Sequence, residues 1–227
     1  MNQPTRLILI NSGTFGRAVV DLTRVSHFVA KNNLGKTSLM TALQFLYVSN
    51  HQKHQFPTSL KESRKHYFQT QQSYIIFECR TSGGMKTVVF RGKGELEEYD
   101  YERKLYTGPY RKRFFFRTDR TQELRGPDDT DRKIAEEGVE YENLEPREHR
   151  AALRGTSDQE ALNLGLVPTA SQEDYDQFCD LYVNLLRMND LSQDRIEQLL
   201  ISVHERDLST RRVSLHDHAE DWESILE

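Results

Sequence analysis

The stretch from Val25 to Leu46, VSHFVAKNNLGKTSLMTALQFL, constrains the fold more than any other part of the chain. A short apolar run rich in β-branched residues comes first, then a polar loop, and then apolar residues at helical spacing. The loop has the spacing A-x-x-x-x-G-K-T, in which Ala30 stands where the usual phosphate-binding loop has its first glycine. Strand, loop and helix in this order predict a P-loop, and the alternative is a chance Gly-Lys-Thr at the start of a helix.

The residue types in this loop suit the phosphate chain of a nucleotide. Successive backbone amides and the positive end of a helix attract phosphate, and a glycine lets the backbone approach it closely. Lys36 is predicted to reach the β- and γ-phosphates of ATP, Thr37 to ligate Mg²⁺, and Ser38 to donate near the α-phosphate. The predicted nucleotide-binding residues are Ala30, Asn32, Asn33, Leu34, Gly35, Lys36, Thr37 and Ser38.

Strands are predicted on both sides of this stretch. Arg6 to Ile10 and Arg17 to Leu22, joined by turn residues, predict an antiparallel hairpin. The helix after the P-loop is predicted to end near Val48. Four segments rich in β-branched and aromatic residues then predict an antiparallel meander, and they are Ser73 to Arg80, Lys86 to Arg91, Glu97 to Tyr106 and Tyr110 to Arg117. The expected fold class is α/β, of the α+β kind.

The rest of the chain has a different character. From Asp131 onward it is predicted to form two or three helices, of which Tyr175 to Val203 has the clearest helical spacing. The polar segment from Ser49 to Gln72 contains His51 and His54, but no cysteine or carboxylate follows at a ligand spacing. This segment is therefore predicted to be a solvated loop with a short helix.

Composition narrows the class of protein. A net charge of −4 argues against a protein that coats DNA, although local basic patches remain compatible with it. The two cysteines, Cys79 and Cys179, have no metal-binding spacing and are predicted to be buried thiols in a reducing compartment. No apolar run is long enough to span a membrane, and the N-terminus lacks the layout of a signal peptide. A cytoplasmic location is expected.

The N-terminal segment resembles the ATPase heads of SMC-like ABC proteins, such as SMC, RecF and RecN. Their P-loop has the pattern G-x-N-G-x-G-K-[ST], and Asn32, Gly35, Lys36 and Thr37 match it, whereas Ala30, Asn33 and Leu34 depart from it. The antiparallel hairpin before the P-loop is also an ABC-type feature. The resemblance covers about the first 120 residues. It implies ATP and Mg²⁺ as cofactors, a second head as partner, DNA, and accessory subunits.

The parts of such a head that complete the ATPase site do not appear in this sequence. Neither a Leu-Ser-Gly-Gly-like signature loop nor an apolar strand ending in Asp-Glu is found. The chain is therefore predicted to be the N-terminal lobe of a longer protein, with the P-loop lobe over residues 1–122 and a helical segment leading toward a coiled coil over residues 123–227. No catalytic residue is assigned, because the chain alone is expected to bind ATP weakly and hardly hydrolyse it.

Two further sites are predicted in this framework. The resemblance implies a glutamine that contacts Mg²⁺ after the meander, and Gln122 is the nearest candidate. A basic, Phe-rich segment around Lys112, Arg113 and Arg117 suits a DNA backbone, and strand alternation would put Lys112, Phe114 and Phe116 on one face. The alternative for this segment is an edge strand protected by charge.

The predicted function is the ATP-binding lobe of an SMC-like protein of DNA organisation, DNA repair, or defence against plasmids and phages. ATP would drive dimerisation of two heads acting on DNA. One alternative is a stand-alone nucleotide-binding regulatory or scaffold module that does not hydrolyse ATP. A P-loop kinase or GTPase ranks last, because no Asn-Lys-x-Asp guanine motif and no arginine-rich lid are present.

Overall fold

The computed structural model describes residues 2–24, 35–118 and 122–186. The chain divides into two compact units, Met1–Val183 and Asn184–Glu227, and only residues 184–186 of the second are described. A six-stranded antiparallel sheet runs through the first unit in the order β2-β1-β3-β4-β5-β6. Its strands are β1 (Gln3–Ser12), β2 (Phe15–Asp21), β3 (Tyr74–Thr81), β4 (Gly84–Gly92), β5 (Tyr101–Thr107) and β6 (Tyr141–Asn143).

The predicted hairpin and most of the predicted meander are confirmed. β1 and β2 pair antiparallel, with Ser12 opposite Phe15 at the turn, and β3, β4 and β5 follow one another as antiparallel neighbours. β1 also pairs with β3, so it lies inside the sheet. Its apolar run from Leu7 to Ile10 is buried on both faces, which explains why the sequence there is continuously apolar and does not alternate.

Helices cover both faces of the sheet. They are α1 (Lys36–Tyr47), α2 (Leu60–Tyr67), α3 (Lys112–Phe115), α4 (Pro127–Glu136), α5 (Pro146–Arg154) and α6 (Gln172–Leu186). The first core contains Leu7 and Leu9 from β1 and side chains from α1, α5 and α6. The second core contains Ile8 and Ile10 from the opposite face of β1, together with side chains from α3 and α4. α1 therefore packs on one face of the sheet, and the basic segment packs on the other.

Three predicted elements differ from the structure. The segment from Tyr110 to Arg117 is not a strand, because its centre forms the one-turn helix α3. β5 begins at Tyr101 and not at Glu97, which belongs to a 3₁₀ turn in the β4–β5 connection. A helix begins at Pro127, ahead of the predicted Asp131, because proline suits the first helical position.

Other elements agree with the sequence where they are described. α1 ends at Tyr47, next to the predicted Val48, and α6 coincides with the first part of the predicted helix from Tyr175 to Val203. Residues 187–203 of that helix and the predicted P-loop strand, Val25 to Val29, lie outside the described residues. Cys79 and Cys179 are both buried free thiols, as predicted. Among the described residues, no helix is long and apolar enough to cross a membrane.

Candidate functional site

The candidate nucleotide site is the start of α1. Gly35 caps this helix in the left-handed conformation, with φ 84° and ψ 13°, and it has no side chain to satisfy the first helical amides. The first turn of α1 also has no acidic residue. Neither the cap nor the first turn of α1 therefore supplies an anionic side chain to the positive end of the helix dipole, and such a helix start suits a bound phosphate.

The turn between β1 and β2 packs directly against Gly35. A Cβ atom at Gly35 would lie 2.5 Å from Cζ of Phe15 and 2.7 Å from Oγ1 of Thr14, and real Cβ atoms do not approach other atoms so closely. Any residue other than glycine would therefore require the Phe15 and Thr14 side chains to move, and it would also be strained by the positive φ. The hairpin before the P-loop thus shapes the end of the loop through steric contact.

The end of α2 also contacts the first turn of α1. Tyr67 donates a hydrogen bond from Oη to the backbone oxygen of Ser38 at 2.8 Å, and Nε2 of His66 lies 3.0 Å from Oγ of Ser38. Burial raises the pKa of Tyr67 and lowers the pKa of His66 from 6.5. α2 forms despite its polar sequence because Ser59 and Glu62 make a capping box at its start.

The described residues include only the last part of the predicted nucleotide site. Gly35, Lys36, Thr37 and Ser38 follow one another at the start of α1, with Thr37 exposed and Lys36 half-buried. Ala30, Asn32, Asn33 and Leu34 lie outside the described residues. The assignment of these eight residues to nucleotide binding therefore stays a prediction.

Gln122 is exposed in the connection between α3 and α4. The residues that follow it are fixed by two contacts. Nε2 of Gln72 donates to the backbone oxygen of Arg125 at 2.9 Å, and Leu124 forms an isolated β-bridge with Phe116. Gln72 comes just before β3, whose first residue, Tyr74, pairs with the end of β1. The role of Gln122 toward Mg²⁺ stays a prediction.

The predicted DNA-binding segment has a different geometry from the one expected. Phe114, Phe115 and Phe116 are all buried, at 0%, 1% and 2% exposure, so the predicted alternation of faces is wrong. A strand would turn the middle ring of three away from its neighbours, whereas one helical turn and a β-bridge let all three enter the second core. The basic residues remain at the surface beside this core.

Carboxylates neutralise part of this basic segment. Arg113 and Arg111 both contact Glu137, the latter at 2.9 Å, and Nε of Arg117 lies 3.1 Å from Glu123. Nζ of Lys112 lies 5.3 Å from the centre of the Phe116 ring. Of the predicted DNA-binding residues Lys112, Arg113 and Arg117, the two arginines are thus paired with acidic side chains, and the lysine also packs on the Phe116 ring.

Sequence reasoning missed two arginines of the same surface. A depression of about 230 Å³ is lined by Arg117, Arg125 and Arg132, with Lys133 and two acidic residues around it. Arg125 donates from Nε to the backbone oxygen of Arg113 at 3.2 Å, which holds it beside α3. No signal in the sequence indicated this grouping, because the packing of α4 against α3 creates it.

The predicted short helix of the histidine-containing segment is present as α2, but the loop before it is only partly solvated. His54 is 5% exposed, its Nε2 lies 2.8 Å from the backbone oxygen of Val48, and burial lowers its pKa to about 4. His149 on α5 is fully buried, and burial lowers its pKa to about 3. Within residues 2–24, 35–118 and 122–186, no group of three or more His, Cys, Asp or Glu side chains could hold a metal ion.

The described part of the chain is thus a mixed α/β protein built on an antiparallel sheet, with a glycine-capped helix start against the first hairpin. Residues 3–222 match the family model described as "Putative Mks condensin complex protein MksF". Because the match spans nearly all of the 227 residues, the chain belongs to this family. The match supports a condensin-related system, which is the broader part of the resemblance to SMC-like proteins. No curated protein matches the chain.

Proposed function

We propose that this chain is the ATP-binding N-terminal lobe of an SMC-like head in a condensin-like, DNA-organising complex. The observation that carries the proposal is the start of α1, where a left-handed Gly35 without an acidic neighbour directly precedes Lys36 and Thr37. The A-x-x-x-x-G-K-T spacing supports a nucleotide as the ligand. Membership in a condensin complex family supports the assembly and the DNA-organising role.

The residues at the start of α1 fit a triphosphate. The first amides of the helix would donate to phosphate oxygens, and the Lys36 ammonium would interact with the β- and γ-phosphates as a point charge. Thr37, which is exposed, would ligate Mg²⁺ beside them through its hydroxyl. Bound Mg²⁺ would neutralise part of the phosphate charge. The assigned chemistry of these residues is therefore binding and orientation of the nucleotide.

Hydrolysis requires groups that this sequence does not contain. A positioned water and charge stabilisation must come from a second lobe with a signature loop and a Walker B carboxylate. The proposed role of ATP is consequently to promote association between two heads, with accessory subunits and DNA in the same assembly. The missing carboxylate equally favours the second candidate, a nucleotide-binding regulatory or scaffold module that does not hydrolyse ATP.

The proposed DNA-binding surface consists of Lys112, Arg113 and Arg117, extended by Arg125 and Arg132. These residues lie on the face of the sheet opposite to α1, around the edge of the second core. Flexible cations at the edge of a buried aromatic cluster can approach phosphates while their stems stay packed. This surface would provide contacts that do not depend on DNA sequence.

Equilibrium binding of a fluorescent ATP analogue in the presence of Mg²⁺ tests the nucleotide assignment. The Lys36→Ala substitution is expected to weaken binding about 10- to 100-fold, because a hydrogen bond to a charged group contributes about 1.5–3 kcal/mol. Lys61→Ala, at an exposed position of α2, is the matched control and is expected to bind like the unmodified chain.

Two outcomes would contradict the proposal. Either the chain shows no Mg²⁺-dependent binding of ATP, or the affinity does not depend on Lys36. ATP-dependent dimerisation then separates the two candidate functions. Sedimentation of the full-length protein with and without ATP should show a dimer that Lys36→Ala abolishes, and a monomer under both conditions would favour the regulatory module.

A further inference from the structure

Ser38, in the first turn of α1, has two hydrogen-bond contacts with the end of α2. Oη of Tyr67 already holds the Ser38 carbonyl at 2.8 Å, and Thr41 bonds back to the carbonyl of Thr37 at 2.8 Å. The second contact joins Nε2 of His66 to the Ser38 hydroxyl at 3.0 Å. This second contact involves the Ser38 hydroxyl, which is the group predicted to donate to a phosphate.

His66 is held in place independently of Ser38. Its backbone oxygen accepts a hydrogen bond from the amide of Gly13 at 3.0 Å, in the turn between β1 and β2. A Cβ atom at Gly13 would lie 3.1 Å from Nε2 of His66, so the turn also packs against the ring. The ring therefore lies between the hairpin turn and the Ser38 hydroxyl.

The contact between His66 and Ser38 determines where the Ser38 hydroxyl proton can point. A serine hydroxyl has one proton to donate and can accept through its oxygen. If the proton of the ring is on Nε2, His66 donates to Ser38 and the hydroxyl proton must point elsewhere. If the proton is on Nδ1, the Ser38 hydroxyl donates to His66 and has no proton left for a phosphate oxygen. The tautomer of His66 thus decides whether Ser38 can serve the nucleotide.

We propose that His66 is a positioning residue that donates from Nε2 to Ser38 and so directs the single Ser38 hydroxyl proton at a phosphate oxygen of the nucleotide. This inference rests on the proposed nucleotide site. It connects the hairpin turn, α2 and the P-loop helix in one chain of contacts from Gly13 through His66 to Ser38. Nucleotide binding would select the Nε2-protonated ring, because only that tautomer leaves the Ser38 proton available.

A double-mutant cycle on the purified chain tests this coupling with a fluorescent ATP analogue and Mg²⁺. His66→Phe, which keeps a ring but removes the donor, is expected to weaken binding about 2- to 10-fold, as for a neutral hydrogen bond. In a Ser38→Ala background the same substitution should have no further effect. His66→Gln, whose amide nitrogen can take the place of Nε2, should restore most of the affinity, and His51→Phe is the control histidine.

The results separate this inference from the nucleotide assignment itself. If Lys36→Ala has no effect, the nucleotide site and the inference both fail. If binding depends on Lys36 but His66→Phe acts equally with and without Ser38, or His66→Gln binds no better than His66→Phe, only the inference is overturned. Thermal unfolding of each variant without nucleotide shows whether it folds.

A measurement on the unmodified chain keeps the inference testable if the variants do not fold. The ¹⁵N chemical shifts of the His66 ring distinguish a nitrogen that carries a proton from one that does not. On addition of Mg²⁺ and ATP, the ring is expected to become protonated at Nε2 alone. A ring that is protonated at Nδ1 when Mg²⁺ and ATP are bound would overturn the proposed role.

Discussion

The buried histidine on α5 makes the stability of this fold dependent on pH. His149 is 0% exposed and lies against Phe90, with 5.6 Å between ring centres. Burial is the main cause that lowers its pKa from 6.5 to about 3, with the charges of Arg103 and His54 adding to it. The unfolded chain therefore binds a proton on this ring that the folded chain does not accept, and lowering the pH must favour unfolding.

The size of this effect follows from the two pKa values. Between pH 7 and pH 5 a histidine with an unfolded pKa of 6.5 becomes almost fully protonated, while the folded ring stays neutral. Linkage then gives a loss of about 2 kcal/mol in the free energy of unfolding. His54, whose folded pKa is about 4, contributes nearly the same amount over this interval because it too stays neutral at pH 5.

The test is His149→Leu, which removes the titrating ring and keeps an apolar side chain in the first core. Urea unfolding, followed by circular dichroism, gives the free energy of unfolding at pH 7 and at pH 5. The variant is expected to be about as stable as the unmodified chain at pH 7, because neither ring nitrogen of His149 has a hydrogen-bond partner of good geometry within the described residues. Its loss of stability between pH 7 and pH 5 should be smaller by about 2 kcal/mol.

His51→Leu is the matched control. His51 lies in the same region of the sequence as His54 but is only half-buried, so its removal should leave most of the pH dependence in place. If His149→Leu loses as much stability from pH 7 to pH 5 as the unmodified chain, the ring is not buried neutral and the reasoning is refuted. The same holds if the variant unfolds already at pH 7.

The remaining predictions concern the basic segment. Phe115→Ala is expected to lower the free energy of unfolding by about 3–5 kcal/mol, because the Phe115 ring stacks on Tyr110 and fills the second core. Urea unfolding measures this loss, and a loss below about 1 kcal/mol would contradict the helical geometry of α3. Replacing Lys112 and Arg117 by glutamate in the full-length protein should weaken DNA binding and reduce the steepness of log affinity against log salt by about two. An unchanged slope in a salt titration would exclude this surface from DNA binding.

The sequence by itself determined the elements whose signals are local. The continuous apolar run of β1 identified a strand, and turn residues after it identified the hairpin with β2. The glycine before Lys36, followed by apolar residues at helical spacing, indicated where α1 begins. These predictions succeeded because backbone preference and side-chain periodicity agree at each of these segments.

Only the tertiary structure determined the conformation of the aromatic and basic segment. Three consecutive phenylalanines around Phe115 have high strand propensity, yet a strand would expose at least one of the rings. Burial of all three outweighs that propensity and produces α3. The same principle applies to His54. Its polar sequence neighbourhood predicted a solvated position, but in the structure its ring packs beside Phe45 of the first core.

The contacts around the candidate site also come from tertiary structure. Ser38 and His66 are 28 residues apart, and Gly13 precedes both of them at a long sequence distance, so no local pattern could pair them. The sequence indicates which residues could bind a phosphate, because phosphate binding depends on the chemistry of single residues and short loops. Which neighbours orient them depends on the packing of α2 and the first hairpin against α1, and a pairing of that kind is specified by the whole fold.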